Sequence, residues 1–331
     1  MRIGIIGVGG IASNYLRSLE GLDQTIVAVC DINEERATAA AVEHGSAVYT
    51  AHREMLDGEW LEAVFVAIPP GSHTTEVRDV ALAGIPVFTA KPVALDLETA
   101  LRTQEAIDHT GVINQVGHMA RYADVTAHAR DLLSNRPPLN LGFGRFLCRM
   151  SPAHPWWGKF SASGGQMVEQ SSHVFDLLRY FMGEIEAVQA FGHAGTSDIA
   201  DFPDSTVCNL RFESGAVGNV VSTCVARAQE GFTVELTGRD LYLRLGMDTR
   251  LTGQMDGEPV DYLGEETGYF RQIERFLRAV QERNQSLVRS SYADAVKTLA
   301  VTLAANRSLE TGAVETVASV YPTQAVAPAA G

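Results

Sequence analysis

The sequence predicts an α/β fold with two domains: a parallel sheet covered by helices, then a domain with an open, largely antiparallel sheet. Three observations support this fold class. Strand-like and helix-like segments alternate as far as about residue 120, which is typical of βαβ units. Beyond that point, strand-like segments follow one another directly. The length of 331 residues fits about two domains.

In the first domain, short apolar runs predict strands at residues 3–6, 25–30, 63–68, 86–89 and 112–116. Amphipathic or Ala- and Glu-rich runs predict helices at residues 11–19, 33–44, 72–83 and 96–109. Ser72 and Asp96 are the expected N-caps of the last two helices, and Gly84 and Gly111 follow their ends. Because the strands are almost wholly apolar, helices should cover both faces of this sheet.

In the second domain, alternating apolar and polar residues predict strands at residues 144–150, 186–191, 206–212, 216–224, 232–237 and 241–245. Helices are expected at residues 122–133, 165–182, 269–283 and 292–309. We expect the domains to span residues 1–120 and 121–331, with the last long helix as a candidate to pack back on the first domain. The tail, residues 321–331, is small and Pro-containing, which favours poor order.

Composition excludes several classes of protein. The chain is 46% hydrophobic and 20% charged, as in ordinary globular proteins. It has 26 Lys and Arg against 40 Asp and Glu, a net charge of −14, which argues against binding to nucleic acid or to an anionic membrane. There is no apolar run long enough for a signal peptide or a membrane span. The four cysteines form no Cys-x-x-Cys pair and read as buried thiols, so a cytoplasmic location is expected.

A glycine-rich turn connects the first strand to the first helix. The segment Gly7-Val8-Gly9-Gly10-Ile11-Ala12 fits the G-x-G-x-x-[G/A] pattern in the context that makes it informative. Gly7 permits a tight turn, Gly9 lets a diphosphate approach the backbone, and Ala12 lets the helix pack close to the sheet. The free N–H groups of the helix N-terminus, around Gly10 and Ile11, would face the diphosphate. The motif predicts a dinucleotide-binding (Rossmann) domain.

Asp31 ends the second strand, 19 residues after Ala12. A carboxylate at this place accepts hydrogen bonds from ribose hydroxyls and repels a 2′-phosphate, which favours NAD over NADP. Ile32 follows it as a further cofactor contact. The alternative is that Asp31 merely caps the helix at residues 33–44. Arg36, one turn later, would soften the NAD preference by pairing with a phosphate, or is simply a solvated helix residue.

Several motifs occur together and in order along the chain. They are the Gly7-x-Gly9 turn, Ile68-Pro69-Pro70-x-x-His73, Gly84-x-x-Val87 before Ala90-Lys91-Pro92, Gly164-Gly165 followed by Glu169-x-x-x-His173-x-x-Asp176, and Tyr292-x-Asp294-Ala295. With these motifs the chain resembles the Gfo/Idh/MocA oxidoreductases over essentially its whole length. The resemblance implies NAD(P)-dependent oxidation of a secondary hydroxyl on a sugar, inositol or related cyclic polyol, by a homodimer or homotetramer packed through the open sheet. Ala90 and Glu169 depart from the Glu and Asp usual in this family.

The catalytic residues implied by this resemblance are Lys91, His173 and Glu169. Lys91 lies after a parallel strand, where ligands bind in open α/β sheets, and Pro92 fixes its turn, with a cis bond as one possibility. His173 is the expected general base. Glu169, four residues earlier on the expected helix, would orient it. The alternative for Lys91 is that it is an exposed turn residue. The alternative for Glu169 and His173 is that they form a purely structural pair on one helix face. A metal site formed by Glu169 and His173 with His118 or His154 is disfavoured, so no metal is expected.

Other cofactor and substrate contacts are expected from the positions of residues in the motifs and loops near the cleft. Pro69 and His73 are assigned to the cofactor, and His73 is otherwise a helix-start residue. The substrate contacts expected are Arg121, Tyr122, Trp157 and Asp176, together with Lys91, Glu169 and His173. The alternatives are a domain-joining role for Arg121, an ion pair of Asp176 with Arg179, and core packing for Trp157. Two other functions stay open: a glycosidase that uses a resident NAD, and a non-catalytic regulator that binds NAD(P) and a sugar.

Overall fold

The structure is a computed structural model that describes residues 1–151, 153–226, 231–247 and 249–322. Within these ranges the first sheet has six parallel strands in the order β3-β2-β1-β4-β5-β6. The strands are β1 (Arg2–Ile6), β2 (Thr25–Cys30), β3 (Ala47–Tyr49), β4 (Ala63–Val66), β5 (Val87–Thr89) and β6 (Asn114–Val116). The order reverses between β1 and β4, and the carboxyl ends of these two strands form the crevice where ligands bind in doubly wound sheets.

The helices between these strands cover both faces of the sheet. They are α1 (Ala12–Gly21), α2 (Glu34–His44), α3 (His52–Gly58), α4 (Glu76–Leu82) and α5 (Leu97–Thr110). Asn33 caps α2 and Asp96 caps α5, each through a side-chain oxygen that accepts a backbone N–H. Gly111 ends α5 in the left-handed conformation, as its position in the sequence predicts.

The second sheet is open and almost wholly antiparallel. Its strands are β7 (Leu141–Leu147), β8 (Ile185–His193), β9 (Ser205–Phe212), β10 (Val217–Thr223), β11 (Gly231–Gly238), β12 (Leu241–Gly246), β13 (Arg250–Met255), β14 (Glu258–Leu263) and β15 (Glu315–Thr316). Among the described residues their order is β14-β13-β12-β11-β7-β10-β9-β8-β15, and β7 with β10 is the single parallel pair. The fold class predicted from the sequence is therefore confirmed.

Helices cover one face of the second sheet. The helices of this half are α6 (Asp124–Leu133), α7 (Phe160–Ser163), α8 (Gly165–Glu169), α9 (Ser172–Met182), α10 (Tyr269–Glu282) and α11 (Tyr292–Thr311). Phe175 and Leu178 of α9 and Val301 of α11 belong to the core of this domain. The other face carries exposed apolar side chains, including Val207 and Val221.

The two last long helices complete the first domain. Tyr292, Val296 and Leu299 of α11 belong to the buried cluster on one side of the parallel sheet. Ile273 and Phe276 of α10 belong to the cluster on the other side. The chain end therefore contributes side chains to the core around β1 and β4.

Several element predictions need correction. The strand β3 and helix α3 escaped prediction because they are short. Strand β14 escaped it because it is the edge strand and most of its residues are exposed, and β13 because only one of its residues is buried. The predicted N-cap at Ser72 is wrong, since α4 begins at Glu76 after a 3-10 turn at Pro70–Ser72. The strand predicted at residues 144–150 is β7, displaced toward the N-terminus. The expected tail lies outside the described residues from residue 323 onward.

The helix predicted at residues 165–182 is broken into α8 and α9. The amide of Ser171 bonds the carbonyl of Gln166, one residue beyond the usual helical acceptor, and the amide of His173 bonds the carbonyl of Gln170 at 3.3 Å. The carbonyl that His173 would use in a continuous helix belongs to Glu169 and accepts a hydrogen bond from the Lys91 ammonium. A contact with the other domain thus competes with the helical hydrogen bond.

No helix in the described part of the chain is long and apolar enough to cross a membrane. Cys30, Cys148, Cys208 and Cys224 are free thiols, and all but the half-buried Cys148 are buried.

Candidate functional site

Lys91 lies at the carboxyl edge of the parallel sheet, two residues after β5, and a cis peptide bond joins it to Pro92. Its ammonium crosses to the second domain, where it is 3.0 Å from Oε1 of Glu169 and also donates to the carbonyl oxygen of the same residue. Both side chains are largely buried. This pair fixes a positive charge beside the crevice between the domains.

Glu169 is paired with Lys91 and not with His173, contrary to the expected arrangement. The break between α8 and α9 changes the helical spacing on which that expectation rested. Burial raises the pKa of the Glu169 carboxyl, and the nearby Lys91 charge opposes the shift. Its second oxygen, Oε2, has no hydrogen-bond partner among the described residues. A donor on a bound molecule would satisfy that oxygen.

His173 lies near the start of α9 in an aromatic environment. Its ring is parallel to Phe232, with 5.7 Å between ring centroids, and to Phe146, with 6.4 Å between centroids. Burial lowers the pKa of His173 well below its usual value, and the positive charge of Lys91 and the neighbouring His118 lower it further. The imidazole is therefore neutral at pH 7, and its Nδ1 has no partner among the described residues. A neutral imidazole can accept a proton.

His118 is a second buried histidine, which the sequence suggested only as a disfavoured metal ligand. It follows β6, and its ring meets His173 edge to face with 6.2 Å between centroids. Burial lowers the pKa of His118 to about 4, although Asp176 lies 3.6 Å from its Nδ1. The signal in the sequence was its position directly after the last parallel strand, at the same sheet edge as Lys91.

Arg121 and Asp176 form a bidentate ion pair, with nitrogen–oxygen distances of 2.7 and 2.6 Å. Burial disfavours the charged form of Asp176, but Arg121, His118 and Arg179 outweigh it and hold the pKa of this carboxyl well below its usual range. The Tyr122 hydroxyl accepts the amide of Arg289 and contacts Ser290. Arg121, Tyr122 and Asp176, expected to touch substrate, thus have their polar groups engaged within the protein.

The glycine-rich turn has the shape that a diphosphate requires. Gly7 has φ +86°, and a Cβ there would lie 2.5 Å from the carbonyl oxygen of Ala67. A Cβ on Gly9 would meet nothing within 4 Å, so this part of the turn is open. On Gly10 the nearest neighbour would be Cε1 of His154 at 3.9 Å. Ala12 is fully buried, which lets α1 pack tightly on the sheet. Ile11 is the N-cap residue of α1.

Asp31 is tied to the glycine-rich turn. Its Oδ2 accepts the amide of Val8 at 3.1 Å, and its Oδ1 accepts the amide of Asn33 and a guanidinium nitrogen of Arg36. Asn33 rather than Asp31 caps α2, so the capping alternative is wrong. Ile32, beside Asp31, is 90% exposed. An exposed apolar side chain at this place would suit the face of an adenine.

The loop after β4 meets the second domain. Pro69 precedes the 3-10 turn, and a Cβ on Gly71 would lie 2.9 Å from the backbone of Ala162. Burial lowers the pKa of His73 to about 4, although its ring donates to the carbonyl of Ile68. Trp157 is half-buried against a small cluster of Met150, Phe202 and Cys224. The segment around Trp157 thus lies close to two cofactor-site loops.

The described residues contain no group of three or more His, Cys, Asp or Glu side chains arranged to hold a metal ion. Sequence reasoning considered His118 and His154 only as possible metal ligands, and it missed Phe146 and Phe232. The two phenylalanines read only as strand residues, because nothing in an alternating pattern distinguishes a ring that packs on a histidine from one that fills the core.

The comparisons with known proteins agree with this geometry. The oxidoreductase family described as having an NAD-binding Rossmann fold matches residues 1–118, and the GFO/IDH/MocA C-terminal domain matches residues 141–244. A myo-inositol 2-dehydrogenase of Thermotoga maritima is 30% identical over 66% of this chain and 67% of its own length. A scyllo-inositol 2-dehydrogenase (NAD(+)) of Bacillus subtilis is 27% identical over 74% of each chain.

A solved structure supports the fold independently. The WlbA dehydrogenase of Bordetella pertussis, determined with NADH and UDP-GlcNAcA, has a TM-score of 0.82 and 23% identity, and the superposition covers 98% of this chain and 99% of that one. The two relatives are inositol dehydrogenases, one of them named for NAD(+), and the solved structure holds NADH with UDP-GlcNAcA. The chain therefore belongs to the Gfo/Idh/MocA family of NAD(P)-dependent oxidoreductases.

Proposed function

We propose that this oxidoreductase is an NAD-dependent dehydrogenase that oxidises a secondary hydroxyl of a sugar, an inositol or a related cyclic polyol. The observation that carries the proposal is the meeting of a buried Lys91–Glu169 pair with the neutral imidazole of His173 at the carboxyl edge of the parallel sheet. A fixed cation beside a neutral base is what alcohol oxidation requires of a protein.

The residues divide the chemistry as follows. The nicotinamide, when bound, supplies the hydride acceptor. The hydroxyl proton of the substrate passes to His173, the carbinol hydrogen leaves as hydride, and a carbonyl remains. Lys91 donates a hydrogen bond to the oxygen and stabilises its developing negative charge. Glu169 holds Lys91 in position, and its unpartnered Oε2 accepts a hydrogen bond from a second substrate hydroxyl.

The cofactor would be held by the residues of the glycine-rich turn and of the β2 end. Gly9 and Gly10 leave room for the diphosphate, and the free amides at the start of α1 face it. Asp31 receives the adenosine ribose. Because a 2′-phosphate would lie against this carboxylate, NAD is favoured over NADP. Pro69, His73 and Pro92 would border the cofactor from the loops after β4 and β5.

The substrate class follows from the surroundings of His173. Phe146 and Phe232 present aromatic rings, and the C–H faces of sugars and cyclitols pack on such rings. Lys91, Glu169 and His118 supply polar groups of both signs to the same region. This combination suits a compact ring with several hydroxyls better than an extended or strongly anionic molecule.

The test is to incubate the purified protein with NAD and a panel of inositols, monosaccharides and glycosides, and to follow NADH fluorescence. NADH formation with a polyol or sugar supports the proposal. Cleavage of a glycoside without net NADH, by protein that retains NAD on purification, would replace it with the redox glycosidase. Tight NADH binding with no turnover of any compound would favour the regulator.

We also propose that the exposed face of the second sheet binds a second copy of the chain. Val207 and Val221, on neighbouring strands, are each 40% exposed, and Phe191 on the next strand is 59% exposed. A broad apolar face of this kind on a sheet is typical of a homo-oligomer interface. Sedimentation of the parent and of Val221→Lys tests the interface: a parent that sediments as a monomer contradicts it.

A further inference from the structure

A surface cavity of about 60 Å³ lies outside the candidate active site. Its walls come from α6, α10, the 3-10 turn Met119–Tyr122 and the segment before α11. It is lined by Tyr122, Ala127, Arg271, Glu274, Arg275 and Arg289. Three guanidinium groups and one carboxylate therefore face a single cavity, in a chain whose net charge is −14.

Two of these guanidinium groups are paired with no carboxylate in the part of the chain that the structure describes. Arg271 is paired with the carboxylate of Asp124. Arg289 lies 5.7 Å from the centroid of the Tyr122 ring and donates to the carbonyl of Arg121, but pairs with no carboxylate among the described residues. Arg275, which is half-buried, has no hydrogen-bond or ion-pair partner in the part of the chain that the structure describes.

These arginines are distinguished by sharing one cavity. Arg271, Arg275 and Arg289 line it with a single carboxylate, that of Glu274. Neighbouring cations in a partly buried cavity repel one another, and a bound anion would remove that repulsion. Guanidinium groups bind phosphate and carboxylate oxygens through paired hydrogen bonds.

We propose that this cavity binds a small tetrahedral oxyanion, inorganic phosphate or the phosphoryl group of a small metabolite. Arg275 and Arg289 bind its oxygens, and Arg271 adds positive charge at the rim. This site is separate from the glycine-rich turn, which binds the cofactor diphosphate.

Arg289 connects the lining of the cavity to interior residues through hydrogen bonds. Arg289 donates to the carbonyl of Arg121 at 2.9 Å, and Arg121 donates in return to the carbonyl of Arg289 at 2.6 Å. The next residue, Ser290, bonds the carbonyl of Val116 at the end of β6. An anion that holds Arg289 would therefore stabilise the segment that links α10 and α11 to the parallel sheet.

The experiment uses the protein saturated with NADH, so that the glycine-rich turn is already filled. Inorganic phosphate is titrated against chloride at constant ionic strength, by calorimetry and by thermal unfolding. We expect saturable binding at one site per chain and a rise in Tm of about 2 °C at ten times the Kd. Binding of glycerol phosphate but not of inorganic phosphate would identify the phosphoryl group of a metabolite as the source.

Variants locate the site. Arg275→Gln should weaken phosphate binding about tenfold or more, the usual cost of losing a charge-assisted hydrogen bond. Arg278→Gln, on the exposed part of the same helix and paired with Glu282, is the matched control and should bind as the parent does. Arg275→Lys keeps the charge and should bind with intermediate affinity, which tests the site even if the glutamine variant folds poorly. No saturable binding, or equal affinity in the parent and both Arg275 variants, overturns the proposal.

Discussion

The ammonium of Lys91 donates hydrogen bonds to both the carboxylate and the main-chain carbonyl of Glu169. One side chain from the first domain therefore pairs with the Glu169 carboxylate and also competes for the main-chain carbonyl that a continuous helix would use. Because the helix is interrupted, Glu169 and His173 no longer face each other across one helical turn. Glu169 contacts Lys91, and the His173 imidazole stays free of that carboxylate. Where the family usually has Asp, this chain has Glu169. Its carboxylate is the partner of Lys91 and not of His173.

Replacing Lys91 with Met should lower kcat by about 100-fold or more, because the cation that stabilises the developing oxyanion is lost. NADH should still bind, since the glycine-rich turn is untouched. Stopped-flow or steady-state assays with the best substrate of the panel measure the loss. Lys159→Met, at an exposed lysine paired with Asp201, is the control. Near-normal turnover of the Lys91 variant would return Lys91 to a purely structural role.

The protonation of His173 should respond to Lys91 and Glu169 in opposite directions. The charge of Lys91 lowers the pKa of His173, so Lys91→Met should raise that pKa. Glu169→Gln leaves the ammonium without its counter-charge and should lower it further. NMR titration of histidine labelled with ¹³C measures both shifts. An unchanged pKa in both variants would contradict the electrostatic link, and a His173→Ala variant with normal turnover would remove His173 as the base.

Acid should destabilise the protein through His118. Its pKa is about 4 when folded and about 6.5 when unfolded, so between these values the unfolded chain binds the extra proton. The stabilisation is complete above pH 6.5 and falls by about 3 kcal/mol as the pH drops to 4. Urea unfolding across this window measures the slope. His118→Gln should reduce the slope by the share of one proton and leave the part due to His73 and His173, whose pKa values are also lowered. His109→Gln, at an exposed histidine, should leave the slope unchanged, and equal slopes in all three proteins would refute the assignment.

The cofactor preference should depend on Asp31. Asp31→Ser removes the carboxylate and releases Arg36 to meet a 2′-phosphate. The ratio of NADPH to NADH affinity should rise about tenfold or more. Fluorescence titrations with the two reduced cofactors give the ratio directly. A parent protein that binds NADPH more tightly than NADH would be the opposite of the expected result.

His154 should contribute to cofactor binding from the second domain. Its ring lies beside Gly10 in the glycine-rich turn. His154→Ala should raise the Kd for NADH about threefold or more, the effect of losing one modest hydrogen bond. His193→Ala, at an exposed histidine of β8, is the matched control. If both variants bind NADH like the parent, His154 is only a neighbour of the turn.

The sequence was informative where chemistry and local structure coincide. The glycine pattern, the acid at the end of β2 and the caps of α5 depend on the residues themselves, and the structure has the turns and helices that they predict. Family motifs added Lys91 and His173, whose surroundings could not be read from spacing. The assignments of Arg121, Tyr122 and Asp176 to substrate stay predictions. The sequence did not reveal that Arg121 pairs with Asp176, because a buried ion pair leaves no periodic signal.

The helix break at Gln170 shows why the rest could not be predicted. Residues 165–182 have the pattern of one continuous helix, and local preference alone favours that helix. The competing hydrogen bond comes from Lys91, 78 residues earlier in the chain. Such a contact exists only after the two domains meet, so no window of sequence contains it. His154 beside Gly10 is missed for the same reason.

The contribution of α10 and α11 to the first domain has a consequence for synthesis on the ribosome. The parallel sheet is made first, but side chains that close its two sides, Phe276 and Tyr292 among them, are made only after strands β7–β14. Until then the apolar faces of the nascent first domain lack this cover, and exposed apolar surface favours association. A truncation before residue 269 should therefore damage the cofactor domain, although every residue of the glycine-rich turn would still be present.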